Sequence, residues 1–221
     1  MQYDADNPDH GMQFDPFKAL IVPRPIGWIS TLSASGNPNL APFSFFNALS
    51  DKPPFLIASL SNGNDTVTNL LDTKECTVCL VHLELMDKMN MSSAAVDTGV
   101  NEFDLAGLGT KASKHVKPPR VDGCPAAFEC KLWQTIALPL NEETGRGFTS
   151  VILQVVSIFI DDQFLKDGGV DTATMQPVSR LGYMDYSVTN ESNIFSLNRP
   201  AVADDGKTAT LDNTPWDGTY K

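Results

Sequence analysis

Apolar and polar positions alternate from Ile26 to Thr31: Ile26, Trp28 and Ser30 share one side, and Gly27, Ile29 and Thr31 the other. A period of two is that of a strand, and Pro23 and Pro25 bar a helix just before it. The turn cluster SASGNPN at 33–39 predicts a reversal into a second strand near 40–45, and Pro53 and Pro54 precede a third, FLIASL, at 55–60. Asp65 suits the N-cap of a helix running through Thr66, Leu70 and Leu71. The β-formers of 75–82 read as a strand. Leu85, Met86 and Met89 place an apolar face on a helix over 83–95. Beyond a loop-rich stretch with a short helix at 102–105, two long strands are predicted at about 127–138 and 148–160. The hairpin signal NEETGRG joins them.

Short strands punctuated by Gly and Pro, with helices inserted rather than alternating, point to a mainly β fold: an antiparallel barrel carrying helices, in one domain. Residues 1–14 read as an N-terminal arm, 15–200 as the domain, and 201–221 as an acidic tail. The 27 acids against 16 bases give a net charge of −11. Such a surface repels a phosphate backbone, so no nucleic-acid partner is expected. No membrane segment is expected either, since the most apolar run, 151–160, is about half the ~20 residues a spanning helix needs. The start of the chain lacks the basic and apolar regions of a signal peptide, and the four cysteines are too scattered for a disulfide scaffold. The expected compartment is a reducing cytoplasm.

Between Arg24 and Asp51 no residue is charged, although hydroxyls and amides abound there. Small polar groups interleaved with aromatics suit a planar, polar-edged ligand; they equally suit two buried strands and their turn. In SLSNGNDTVTNLL (59–71) a helix start with Ser61, Thr66 and Thr68 nearby forms an anion site fit for a phosphate, though any N-cap attracts such residues and the loop holds no lysine. Cys76 and Cys79 fall three apart on a predicted strand and so face opposite ways, which speaks against a shared metal. KASKHVKPPR (111–120) concentrates four bases and no acid, a loop that reads mainly as solvated. No nucleophile elbow and no dinucleotide fingerprint is present.

The blocks PRPIGWIST (23–31), NLAPFSFFN (39–47) and PPFLIASL (53–60), followed by EFDLAGL (102–108), FECKLW (128–133) and RLGYMDY (180–186), resemble the flavin reductase-like, FMN-binding split-barrel family over residues 15–188. The resemblance implies a six-stranded antiparallel Greek-key split barrel and a homodimer with FMN near its interface. It assigns Trp28, Ile29, Ser30, Thr31, Ala41, Pro42, Phe43 and Ser44 to the ring, and Ser59, Ser61, Asp65 and Thr66 to the phosphate. Asn64 stands where the family commonly carries a base, so the phosphate would lean on a more distant one, Arg24 or Arg180. The implied activity is an NAD(P)H:flavin reductase in which hydride passes from nicotinamide to flavin N5, with no catalytic side chain and a downstream oxygenase or other acceptor as partner. The alternatives are an electron-transfer flavoprotein of the same fold and a non-enzymatic flavin-binding barrel.

Overall fold

A computed structural model of the chain describes residues 1–5, 10–216 and 218. After a single turn of helix, α1 (Phe17–Leu20), and a short strand, β1 (Arg24–Pro25), come the strands of the main sheet. These are β2 (Gly27–Leu32), β3 (Pro38–Phe43), β4 (Phe46–Asp51), β5 (Pro54–Ser61), β6 (Glu75–Cys79), β7 (Ala126–Ala137) and β8 (Phe148–Ile160). All pairs are antiparallel, in the order β3-β2-β6-β7-β8-β5-β4. Between β5 and β6 the chain crosses from one side of the sheet to the other through α2 (Asp65–Thr73).

The long β7–β8 ribbon shifts register twice, between Ile152 and Leu153 and between Val155 and Ser157. Irregularities of this kind bend a strand and add twist. The sheet curls until β3 approaches β5 without pairing to it, and α2 packs against β2, β3 and β5 at that gap. The result is the expected barrel, split along one side and mainly β. Its sheet holds seven strands rather than six; the additional one is β4.

The sequence reading ran 40–45 as one strand. Instead, β3 stops at Phe43 and β4 starts at Phe46. β3 is an edge strand, which accommodates Pro38 and Pro42 because their missing N–H groups face no neighbour there. β4 is the opposite edge and largely exposed, so it carries no buried alternation to reveal it. Two other boundaries move. Asn64, not Asp65, is the N-cap of α2: it is extended, and its side chain accepts the Val67 N–H at 2.9 Å. The helix expected over 83–95 is a 3-10 turn, Leu83–Leu85, followed by α3 (Met86–Met91); Ser92 ends it by bonding back to the Met89 carbonyl. β6 likewise leaves the sheet at Cys79, three residues before the predicted end.

Alternation along the strands divides the core in two. Ile29, Ala58, Leu60, Leu70, Cys76, Val78, Val151 and Leu153 fill the barrel. Trp28, Leu40, Cys79, Met89, Phe103 and Val121 lie on the other side of the sheet, beneath α3 and α4 (Glu102–Leu105). Cys76 and Cys79 therefore do face opposite ways, and Cys76 sits directly across from Cys130.

A small sheet of β1, β9 (Val178–Arg180) and β10 (Tyr186–Val188) sits beside the barrel and sets Arg24 opposite Arg180. The N-terminal arm touches this region through Phe14, whose ring lies 5.6 Å from that of Tyr183. The tail beyond 200 forms a two-residue pairing of Ala201–Val202 with Ala209–Thr210. Residues 6–9 of the expected arm, and 217 and 219–221 of the tail, lie outside the described residues. Among the described residues no helix is long and apolar enough to cross a membrane.

Candidate functional site

The start of α2 opens onto a cleft of about 330 Å³. One wall is the end of β3, with Asn39, Ala41, Pro42 and Phe43; another is the loop Gly63–Thr66; the third is 92–98, where α3 has unwound into SSAAVDT. The first amides of a helix have no intrahelical acceptor and point outward from its N-terminus. Here Asp65 and Thr66, the first residues of α2, line the cleft, with Gly63 before them in the left-handed region at φ 84°. Thr66 is buried. Its Oγ1 accepts the Asn39 amide at 2.9 Å, and Asn39 also donates to Thr31 at 3.1 Å. Asn69 donates to the same Thr31 hydroxyl, so this polar knot fixes the start of α2 against β2 and β3.

Pro42, Phe43 and Ser93 also line a second cleft of about 240 Å³, closed by Lys18, Arg24, Ser44, Arg180, Tyr183 and Tyr186. Beyond Ser44 an apolar groove of about 470 Å³ is lined by Phe17, Ile21, Phe45, Ile57, Leu138 and Phe148, among others. The residues expected to hold a flavin are thus distributed. Ala41, Pro42, Phe43, Asn64, Asp65 and Thr66 meet in the first cleft; Ser44 and Arg180 lie in the second; Ser59 faces the apolar groove, bonded to Ser150 at 2.7 Å. Ser61 is exposed and lines none of the three.

Trp28, Ile29, Ser30 and Thr31 are fully buried and line none of these clefts. β2 is paired on both sides from Trp28 to Ser30, so its backbone groups are spent on β3 and β6 rather than available to a ring. The Ser30 hydroxyl is buried without a hydrogen-bond partner among the described residues. The uncharged stretch therefore combines both readings: its β2 half is core, and its β3 half is cleft wall.

Sequence reasoning missed Asn39, Glu102 and the 92–98 wall. Only the small polar run SSAAVDT carried a signal, hidden by the apolar spacing just before it. The basic loop 111–120 is held to the sheet: Glu129 accepts the Lys114 and His115 amides, and Glu75 accepts that of Lys117. None of its four bases lines these clefts.

The two adjoining clefts have opposite charge. The first carries Asp65, Asp97 and Glu102 and no base; the second carries Lys18, Arg24 and Arg180 and no acid. Asp65 Oδ2 accepts the Gly99 N–H at 3.0 Å, and Glu102 Oε2 accepts the Leu40 N–H at 2.9 Å. Burial pushes the Glu102 carboxyl above the usual carboxylate range, with the Leu40 bond opposing. The native state therefore keeps a proton that the unfolded chain releases at about pH 4.3. Over the window from there up to the raised native value, stability falls as pH rises. Glu102→Gln is expected to remove that decline; urea titrations at a series of pH values would show it, and equal slopes for both proteins would refute it.

The fold is thus a split barrel that sets a helix start beside a cleft of mixed polar and apolar lining. Residues 19–185 match the flavin reductase like domain, and the chain belongs to that family. An uncharacterised protein of Aquifex aeolicus (strain VF5) is 40% identical over 168 residues, covering 74% of this chain and 83% of its own. Nitrilotriacetate monooxygenase component B from Bacillus cereus is similar in structure, with TM-score 0.78 and 25% identity over 89% of this chain and 100% of that one. The FMN-binding protein from Thermus thermophilus shares the fold, with TM-score 0.69 and 17% identity over 89% of this chain and 99% of that one.

Proposed function

We propose that this flavin reductase-like protein binds FMN in the first cleft and oxidises NAD(P)H, passing the electrons to an acceptor such as an oxygenase. The carrying observation is the junction of the α2 N-terminus with the apolar end of β3 in a single cleft. Pro42 and Phe43 offer a flat apolar surface for the ring, with Ala41 beside them. The Asp65 and Thr66 amides and the Thr66 hydroxyl suit the phosphate, as helix starts do. The apolar end of β3 suits a flavin ring, while the three carboxylates of the cleft oppose the charge of its phosphate. The cleft's lack of any base implies binding weaker than a cation at position 64 would give. FMN supplies the hydride chemistry when bound. The chain's own part is to hold the ring, shield it with the 92–98 wall, and keep Glu102 buried beside it.

An absorption spectrum of the purified protein with added FMN, followed by anaerobic addition of NADH or NADPH, tests the reading. Flavin bleaching by either dinucleotide supports it. A protein that binds neither FMN nor FAD would sink it.

The homodimer is part of the same proposal, and its support is the apolar groove. Gly27 lies so close to the Phe46 ring that a Cβ there would come within 2.8 Å, which fixes Phe46 inward. Phe45 lines the groove together with Phe46, and its ring lies 5.8 Å from that of Phe148. Nearby Phe17, Ile21 and Leu138 are exposed, and Phe45 is half-buried. An apolar surface of this kind suits a second copy. Phe45→Asp is expected to give monomers with weakened FMN retention, because Phe43, two positions before it, belongs to the wall of the first cleft. Sedimentation and flavin absorbance on the same samples report both properties.

A further inference from the structure

Among the described residues Arg24 is the one Lys or Arg that is buried, 6% exposed. Its guanidinium donates to the carbonyls of Lys18, Ile21 and Leu181 and, at 3.4 Å, to Ser44 Oγ. All of these partners are neutral. Arg180 stands directly opposite it in the β1–β9 register. Arg180 donates through Nη2 to the Tyr183 carbonyl and the Met184 sulfur, and its plane lies over the Tyr186 ring at 4.4 Å. Its Nε and Nη1 have no acceptor among the described residues. Lys18 completes the set, and no carboxylate lines this cleft or pairs with these three groups among the described residues.

Placing two guanidiniums side by side with one largely buried is costly when no anion compensates them. It is more unusual in a chain of net charge −11, where acids outnumber bases. Burial and the neighbouring Arg180 both push the Arg24 pKa down, the direction that uncompensated positive charge gives. Tyr183, on the same wall, holds a non-glycine φ of 53°, a strained conformation that tends to mark working sites. Arg180, held against the Tyr186 ring, keeps Nε and Nη1 available to donate, while Arg24 is fixed by its three backbone carbonyls. Planar guanidinium forks of this kind match phosphate oxygens.

We infer that the Lys18–Arg24–Arg180 cleft is an oxyanion site that takes a phosphate group, and that the phosphate is the pyrophosphate of the dinucleotide rather than that of the flavin. The source assignment rests on the FMN placement proposed above. The cleft joins the first one through Pro42, Phe43 and Ser93, so a dinucleotide anchored here has its nicotinamide within reach of a ring on Pro42 and Phe43. The sequence assigns Arg180 to the flavin by resemblance; under this proposal it serves the second reactant instead.

The test uses inorganic pyrophosphate titrated calorimetrically into the FMN-saturated full chain, with wild type, Arg180→Ala, Arg180→Lys and Lys18→Ala. Arg24 is left alone because it ties three backbone carbonyls together. Wild type is expected to bind pyrophosphate, more weakly at high salt. Arg180→Ala should weaken it by about tenfold or more, with Arg180→Lys in between. The same Arg180→Ala protein should show a raised KM for NADH or NADPH and an unchanged FMN Kd. No pyrophosphate binding, or binding indifferent to both Ala variants, overturns the site. If Arg180→Ala instead weakens FMN but not riboflavin, the cluster holds the flavin's own phosphate and the source assignment is overturned. Arg180-dependent pyrophosphate binding in a protein that neither dinucleotide reduces supports the oxyanion site while refuting the NAD(P)H reading of function.

Discussion

Trp28→Ala is expected to lower stability by about 3–5 kcal/mol, the range for emptying a buried aromatic site. Trp28 is fully buried among Leu40, Cys79, Met89 and Phe103, on the helix side of the sheet. Its Nε1 donates to Ser92 Oγ at 2.9 Å, which in turn donates to the Met89 carbonyl. The indole thus ties β2 to the end of α3, the point from which the 92–98 wall departs. Trp28→Phe keeps most of the packing and loses the bond, at a cost of about 1 kcal/mol. The Phe variant separates two roles that the resemblance had merged. Since Trp28 lines none of the clefts, its FMN affinity should match wild type within about twofold, a difference of well under 1 kcal/mol. Denaturant unfolding and flavin titration on the same variant decide the matter. Lost flavin with intact stability would return Trp28 to the cofactor.

Thr66→Ala should weaken FMN binding by on the order of 1.5–3 kcal/mol, the value of a hydrogen bond to a charged group. The site makes the effect specific. The Thr66 oxygen is occupied by the Asn39 amide, which leaves its O–H as the group free to donate. Thr66→Ser keeps the hydroxyl and should rescue most of the loss. Thr68→Ala should do little, because Thr68 is exposed and bonds only the Asn64 carbonyl at 3.4 Å. Asn64→Lys has two opposed effects. It brings a cation to a cleft lined by three carboxylates and no base, so FMN should bind more tightly and with more salt sensitivity. It also removes the side chain that caps α2, at a cost of about 1 kcal/mol to the helix. Higher flavin affinity with a lower Tm is the expected combination.

The barrel was readable wherever a strand is buried on one or both sides. β2, β5, β7 and β8 alternate or run apolar because their neighbours demand it, and the NEETGRG turn sets the β7–β8 pairing. β4 was invisible for the complementary reason: it is an exposed edge, and FNALSD satisfies its neighbour through the backbone, which leaves little trace in residue type. At the site, ND at 64–65 located a helix start, but the capping bond moved the cap by one residue. Nothing local distinguished Asn39 as the amide that bridges Thr31 and Thr66, since its two partners come from two other segments of the chain.

By itself the sequence determined the alternation that builds a mainly β barrel, the helix start at 64–66, and the membership carried by its opening blocks. Those are short-range properties of residue type and spacing. Tertiary structure alone decided the rest. It sent the side chains of Trp28 to Thr31 into the core while Ala41 to Phe43 became cleft wall, because core packing covers both faces of the inner strand β2, whereas β3 lies at the open edge of the sheet. It also parted acids from bases. Arg24 and Arg180 are 156 positions apart along the chain and adjacent only through the β1–β9 register, and charge adjacent in space is what an anion responds to.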